Sequence, residues 1–202
     1  MANETKPMSS IPNQHSKPSV NSARISIPAR EEMNSDSLMF LHGIEERLGM
    51  LPNLHRLLAK SPAVLSGWLA LQNALATTIN LRTREAIALA VSEVNECLYC
   101  LSAHGHVAAT LGKSTEEEIL LNRQGRSKNP KTAAAVYFAK RVVEARGHIT
   151  DQELADVRSA GYTDAQIIEI VALAVQFLFT NFMNNVAGTV IDFPIAKSLS
   201  DQ

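Results

Sequence analysis

The chain has 202 residues, 46% of them hydrophobic and 19% charged. That length suits one soluble domain with a core that needs no disulfide or metal staple. With 19 basic against 20 acidic side chains the net charge is −1, so the basic surplus of a nucleic-acid binder is missing. Aromatics make up only 5%, and the plentiful Ala and Leu favour packed helices over sheets.

In chain order, residues 1–30 carry Pro7, Pro12, Pro18 and Pro28 and predict a flexible tail or an arm that wraps a neighbouring subunit. Met1 to Ser35 lacks the apolar centre of a secretory leader, so the expected location is the cytoplasm. An all-α domain is predicted over 31–197. Ser35 to Leu48 has apolar residues at helical spacing and stops at Gly49 and Pro52. A short helix over 54–60 precedes Pro62, which opens a helix to about Thr78. Thr83 is the expected cap of a helix over 84–95, and 97–111 follows, closed by Gly112. Thr115 starts an acidic helix and Pro130 a long amphipathic one to about Arg146. Thr150 to Glu153 fits a capping box. Thr163 caps a last long helix over 164–179, with a separate piece over 182–190. The run from Ile167 to Thr180 holds Glu169 and Gln176 and reads as a core helix rather than a membrane span. No alternating strand pattern interrupts this order.

There are two cysteines, Cys97 and Cys100. A bridge between them closes too small a loop to constrain the unfolded chain, so their use is chemical. On one helix, Cys97, Cys100 and His104 stand at i, i+3 and i+7, a narrow stripe at about 100° per residue. A Cys-x-x-Cys pair on a turn forms and breaks a disulfide with little backbone motion. A nearby imidazole or helix N-terminus lowers a thiol pKa, and a carboxylate orients the imidazole. Glu85, on the helix before, is the candidate carboxylate. Glu93 and Glu96 are expected to face solvent or a subunit contact. Which sulfur attacks stays open: the helix dipole favours Cys97, the adjacent base favours Cys100. His106 points away from the stripe, which argues against zinc held by both cysteines with His104 and His106. A reduced structural pair is the plainer reading of the cysteines, and Ser92 and Asn95 read as turn and packing groups. Tyr99 either lines a substrate entrance or covers the core. Trp68 belongs to the core or a subunit interface.

The stretch from Arg84 to Gly112, with Glu85, eleven residues, Cys97-x-x-Cys100, three residues and His104, and with Ala90 to Asn95 beside it, resembles the alkylhydroperoxidase AhpD-like family of the carboxymuconolactone decarboxylase superfamily. The resemblance implies an all-helical fold and a peroxidase-type oxidoreductase for antioxidant defence. In it Cys100 attacks a hydroperoxide and becomes a sulfenic acid, Cys97 resolves this to a disulfide, and His104 with Glu85 relays the proton. It also implies reset by an external dithiol or lipoyl-type reductant, no metal or other cofactor, and a trimer or hexamer; neither nucleic acid nor membrane is an expected partner. Two rival functions are a lactone decarboxylase of the same superfamily, which does not depend on a cysteine pair, and a redox-sensing disulfide switch without turnover.

One internal similarity adds to the fold expectation. Glu85 to Val91 and Glu169 to Val175 agree at five of seven positions, and the same offset puts Asn181, Asn184 and Gly188 against Cys97, Cys100 and His104. This predicts a duplicated helical hairpin, 83–111 and 167–195, with reactive groups in the first copy only.

Overall fold

A computed structural model of the chain describes residues 23–199. After a 3₁₀ turn at Arg30–Glu32 come nine α-helices: α1 Ser35–Leu48, α2 Asn53–Leu58, α3 Pro62–Leu75, α4 Leu81–Val94, α5 Leu98–Thr110, α6 Glu116–Arg123, α7 Pro130–Glu144, α8 Asp151–Ser159 and α9 Asp164–Ala187. No strand occurs among the described residues, and the class is all-α, as expected.

Local chemistry sets most of the helix starts. Asn34, Ser61, Asn80, Thr115, Asn129, Thr150 and Thr163 each accept a first-turn backbone N–H, which satisfies a donor the helix leaves unpaired. The Thr150 and Thr163 caps are reciprocal boxes with Glu153 and Gln166. The α4 cap differs from expectation. Asn80 accepts from the Thr83 N–H at 3.0 Å, so the helix begins at Leu81 and Thr83 is buried inside its first turn.

The larger correction concerns the end of the chain. α9 is one helix of 24 residues, with no break near 180. The first copy of the sequence similarity turns at Asn95–Cys97, whereas the second runs straight through Phe179–Asn181. Only the helix is shared, and there is no second hairpin. Asparagine disfavours helices by competing for the local backbone. Here the amides of Asn181, Asn184 and Asn185 donate instead to Ser92 Oγ, Cys100 Sγ and the Asn95 carbonyl. They tie α9 to the α4–α5 turn and leave the helix intact. Gly188 ends it in the left-handed conformation at φ 59°, a cap favoured by glycine.

α4 lies at the centre and packs against α5, α6, α7 and α9. Its stretch Ala86 to Val91 is fully buried, and three alanines let neighbouring helices approach closely. One apolar cluster joins α4, α7 and α9 through Ile87, Val91, Val136, Phe138, Ile170 and Phe177. A second gathers Leu41, Leu58, Leu65 and Trp68 from α1–α3 around Cys97, Tyr99 and Cys100. The cysteine pair therefore sits where two cores meet.

Both ends of the described chain fold back on the bundle. The N–H groups of Arg24 and Ile25 donate to the Ala187 carbonyl, and Arg56 holds the Pro28 carbonyl at 2.8 Å. Residues 1–22 of the expected tail lie outside the described residues. After α9, Asp192 accepts from the Asn53 N–H at 2.7 Å and Phe193 stacks edge-on against Tyr99.

Candidate active site

The α4–α5 turn builds the site. Asn95 caps α4, its amide bonding the Val91 carbonyl at 2.8 Å and Asn181 at 3.1 Å. Glu96 then takes φ 49°, a left-handed conformation uncommon outside glycine, and the Cys97 N–H returns to the Ser92 carbonyl at 3.0 Å. This sharp reversal makes Cys97 the N-cap of α5, its sulfur accepting from the Cys100 N–H at 3.4 Å. Cys100 and His104 follow along the same helix face. Both thiols are reduced and buried, with their sulfurs 2.7 Å apart.

Glu85, on the buried face of α4, reaches His104 across the hairpin: Oε2 to Nδ1 is 2.8 Å. That contact fixes the ring and leaves Nε2 for the site. Phe177 of α9 packs edge-on to the imidazole, 5.1 Å between centroids. Burial by itself lowers the His104 pKa, but the Glu85 charge and hydrogen bond, with Cys100 adding to them, leave it raised. The imidazole is thus biased towards its cation.

The same balance separates the two sulfurs. Burial works to raise Cys100, but the hydrogen bond from Cys97, the His104 charge and the amides of Asn181 and Asn184 outweigh it. Together they bring Cys100 from 9.0 to about 7. Asn184 Nδ2 donates directly to Cys100 Sγ at 3.2 Å. Cys97 moves the other way, raised by its hydrogen bond to Cys100 and by burial. The Cys97 position at the helix N-terminus therefore does not prevail: the surroundings lower the Cys100 thiol and raise that of Cys97.

A cavity of about 250 Å³ opens beside this pair, with Cys100, His104 and Glu85 on its wall. Its apolar lining comes from Ile44, Leu48, Leu54, Leu173, Phe177 and Phe193. Tyr99 serves both expected roles: it lines the cavity and is buried, its hydroxyl accepting from the Leu54 N–H at 3.1 Å. Trp68 is in the core and also faces the cavity. His106 is exposed beside Phe193 and is not among the lining residues. Glu93 is half-buried and pairs within the chain with Arg123 Nε at 2.7 Å. Asn181 and Asn184 are the site residues that motif reasoning missed. Their sequence signal was present, as polar side chains on the buried face of an apolar helix.

The helical bundle thus brings a buried cysteine pair and a carboxylate-held imidazole to one cavity. Residues 62–141 match the model of the carboxymuconolactone decarboxylase family, which spans α3 through most of α7. No curated protein matches the chain. Among solved structures, an AhpD-core, peroxidase-related protein of Ralstonia eutropha JMP134 is 25% identical, superimposing with TM-score 0.74 over 83% of this chain and 90% of its own. A peroxidase-related protein of Silicibacter sp. TM1040 is 24% identical, with TM-score 0.73 over 90% and 95%. The debrominase Bmp8, in a variant complexed with 2,3,4-tribromopyrrole, is 21% identical, with TM-score 0.71 over 85% and 93%. The matched segment and the shared fold make this chain similar to carboxymuconolactone decarboxylase family proteins and to the AhpD-core, peroxidase-related protein.

Proposed function

We propose that the chain is a thiol-dependent peroxidase that reduces organic hydroperoxides for antioxidant defence. The observation that carries this reading is the Glu85–His104 hydrogen bond on the same cavity wall as Cys100, whose thiol is lowered while that of Cys97 is raised. The Cys100 thiolate attacks the terminal peroxide oxygen and the O–O bond breaks. The alkoxide leaves as the alcohol with a proton from His104, and Cys100 becomes a sulfenic acid. Cys97 attacks that sulfur, an S–S bond forms and water departs. An external dithiol, lipoyl-type in the resemblance, then returns two electrons by exchange. A reducing cytoplasm is the compartment where this cycle resets, and no metal enters it.

The test is consumption of cumene hydroperoxide by purified protein with dihydrolipoamide as donor. Turnover is expected and Cys100→Ser abolishes it. Cys97→Ser still gives one equivalent of alcohol per subunit but no sustained turnover. If neither thiol is oxidised by peroxide, the reading fails. Fold alone does not specify the reaction, and one fold neighbour is named a debrominase. A halogenated pyrrole is therefore run in parallel, with halide release as its readout.

The proposal includes a homo-oligomer, a trimer or hexamer. Ile168, Val175, Phe182 and Val186 form an exposed apolar stripe along α9, each more than half exposed, and supply a surface a second copy would bury.

A further inference from the structure

The cavity beside Cys100 is not uniformly apolar. Three of its lining side chains carry buried polar atoms that meet no hydrogen-bond partner among the described residues: Trp68 Nε1, Gln72 Oε1 and Gln176 Oε1. Trp68 and Gln176 are 8% and 3% exposed. Buried polar groups are nearly always paired, and an unpaired one costs free energy. Three on one cavity wall are best accounted for by something that fills the cavity.

Their placement is specific. Trp68 and Gln72 are one turn apart on α3 and share a face. Gln176 lies on α9, which packs against α3. Eight residues further along α9, Asn184 holds the Cys100 sulfur, a displacement of roughly 12 Å along the helix axis. Gln176 thus stands about two turns of α9 away from the asparagine at the reacting sulfur, with Leu173 and Phe177 also lining the cavity. The wall offers an indole N–H that only donates, and carboxamide oxygens that accept. The charged side chains on the cavity are already engaged. Arg84 donates to the Ala76 and Ile79 carbonyls, and Glu85 bonds His104. An uncharged group that both donates and accepts suits this wall better than a carboxylate.

We propose that Trp68, Gln72 and Gln176 form a polar anchor for a hydroxyl group at the far end of a neutral organic hydroperoxide whose peroxide end lies at Cys100. The hydroxyl accepts from Trp68 Nε1 and donates to a glutamine oxygen, replacing the water that occupies such groups in an empty cavity. The apolar chain between the two ends packs on the lining. Hydrogen peroxide is too short to touch both ends, so the anchor discriminates among organic substrates. This inference rests on the peroxidase reading of the site.

The experiment compares hexyl hydroperoxide with its terminally hydroxylated counterpart. Wild-type kcat/KM is expected to favour the hydroxylated substrate by roughly tenfold, the scale of one or two well-placed hydrogen bonds. In Gln176→Leu and in Trp68→Phe that ratio falls towards one. Gln72→Leu, at a half-buried position, supplies a third variant should either of these fail to fold. A substrate ratio does not move when a side chain merely supports the fold. A wild-type ratio near one, or a ratio unchanged in the folded variants, overturns the anchor while leaving peroxide turnover standing. If neither hydroperoxide is consumed, the peroxidase reading fails instead. The anchor is then judged by equilibrium binding of hexanol and hexanediol, read from the emission of Trp68, the single tryptophan. Preference for the diol that Gln176→Leu removes supports the anchor, and no preference overturns it.

Discussion

At the residue scale, the balance of charges around Cys100 makes the site's behaviour a question of pH. The thiol is lowered to about 7, so its thiolate is lost below that value and complete above it. The rate of thiol oxidation by peroxide should rise as pH passes through about 7 and level off in the alkaline range, as stopped-flow measurement would show. His104→Gln removes a cation that stabilises the thiolate. The rise is then expected to move upward by on the order of one unit, without abolishing the reaction at high pH. Asn184→Leu removes the amide that donates to Cys100 at 3.2 Å and should move it in the same direction. An unchanged profile in both variants would detach these residues from the thiol. Glu85→Gln keeps a hydrogen-bonding partner for His104 but removes the charge that raises the imidazole pKa. Its profile should therefore resemble that of His104→Gln more than that of wild type.

At the scale of the element, the α4–α5 hairpin and α9 depend on each other. Asn181 is fully buried and joins Ser92 Oγ and the Asn95 amide, so it locks the turn that presents Cys97. Asn181→Ala strands those groups and should cost about 1–3 kcal/mol in denaturant unfolding. It should also slow disulfide closure, because the cysteine turn loses its support. The start of α8 shows a purely local effect. The Thr150 hydroxyl and the Glu153 carboxylate cap each other, and Arg141 with the Thr150 N–H and hydroxyl holds Glu153 down at about 2. Thr150→Ala should lower stability by about 1 kcal/mol and leave thiol reactivity at its wild-type value, since α8 lines neither the cavity nor the cysteine turn. Such local signals are legible in a sequence. The Thr150 box, the Thr163 cap and the bounds of α1 follow from capping and spacing. The α4 start was misplaced because two good caps, Asn80 and Thr83, lie three residues apart, and only packing selects the first.

On the scale of the whole molecule, two cores meet at the cysteine pair, and an apolar stripe remains uncovered on α9. Sedimentation velocity at micromolar protein is expected to show an oligomer. Phe182→Glu, at a position 54% exposed, should shift the distribution to monomer with the helix content unchanged. α9 is long and apolar enough by composition to cross a membrane. In this fold it runs through the first core against α4 and α7, and Gln176, Asn181 and Asn184 are buried along its length.

By itself the sequence determined the class, most helix starts, and the stripe of Cys97, Cys100 and His104 with Glu85 as its partner. The class, the starts and the stripe depend on periodicity, caps and the fixed angle per residue, which are local properties of the chain, whereas Glu85 meets His104 only across the α4–α5 hairpin. Only the tertiary structure sets the two sulfurs apart, with Cys100 lowered and Cys97 raised. That depends on where Asn181, Asn184 and the His104 ring stand around Cys100, and the asparagines come from a helix more than eighty residues away. It also decided that α9 is unbroken, because the bonds that satisfy its asparagines reach across to another hairpin. The polar wall of the cavity is of the same kind. Trp68, Gln72 and Gln176 gain a common purpose only when α3 and α9 pack side by side.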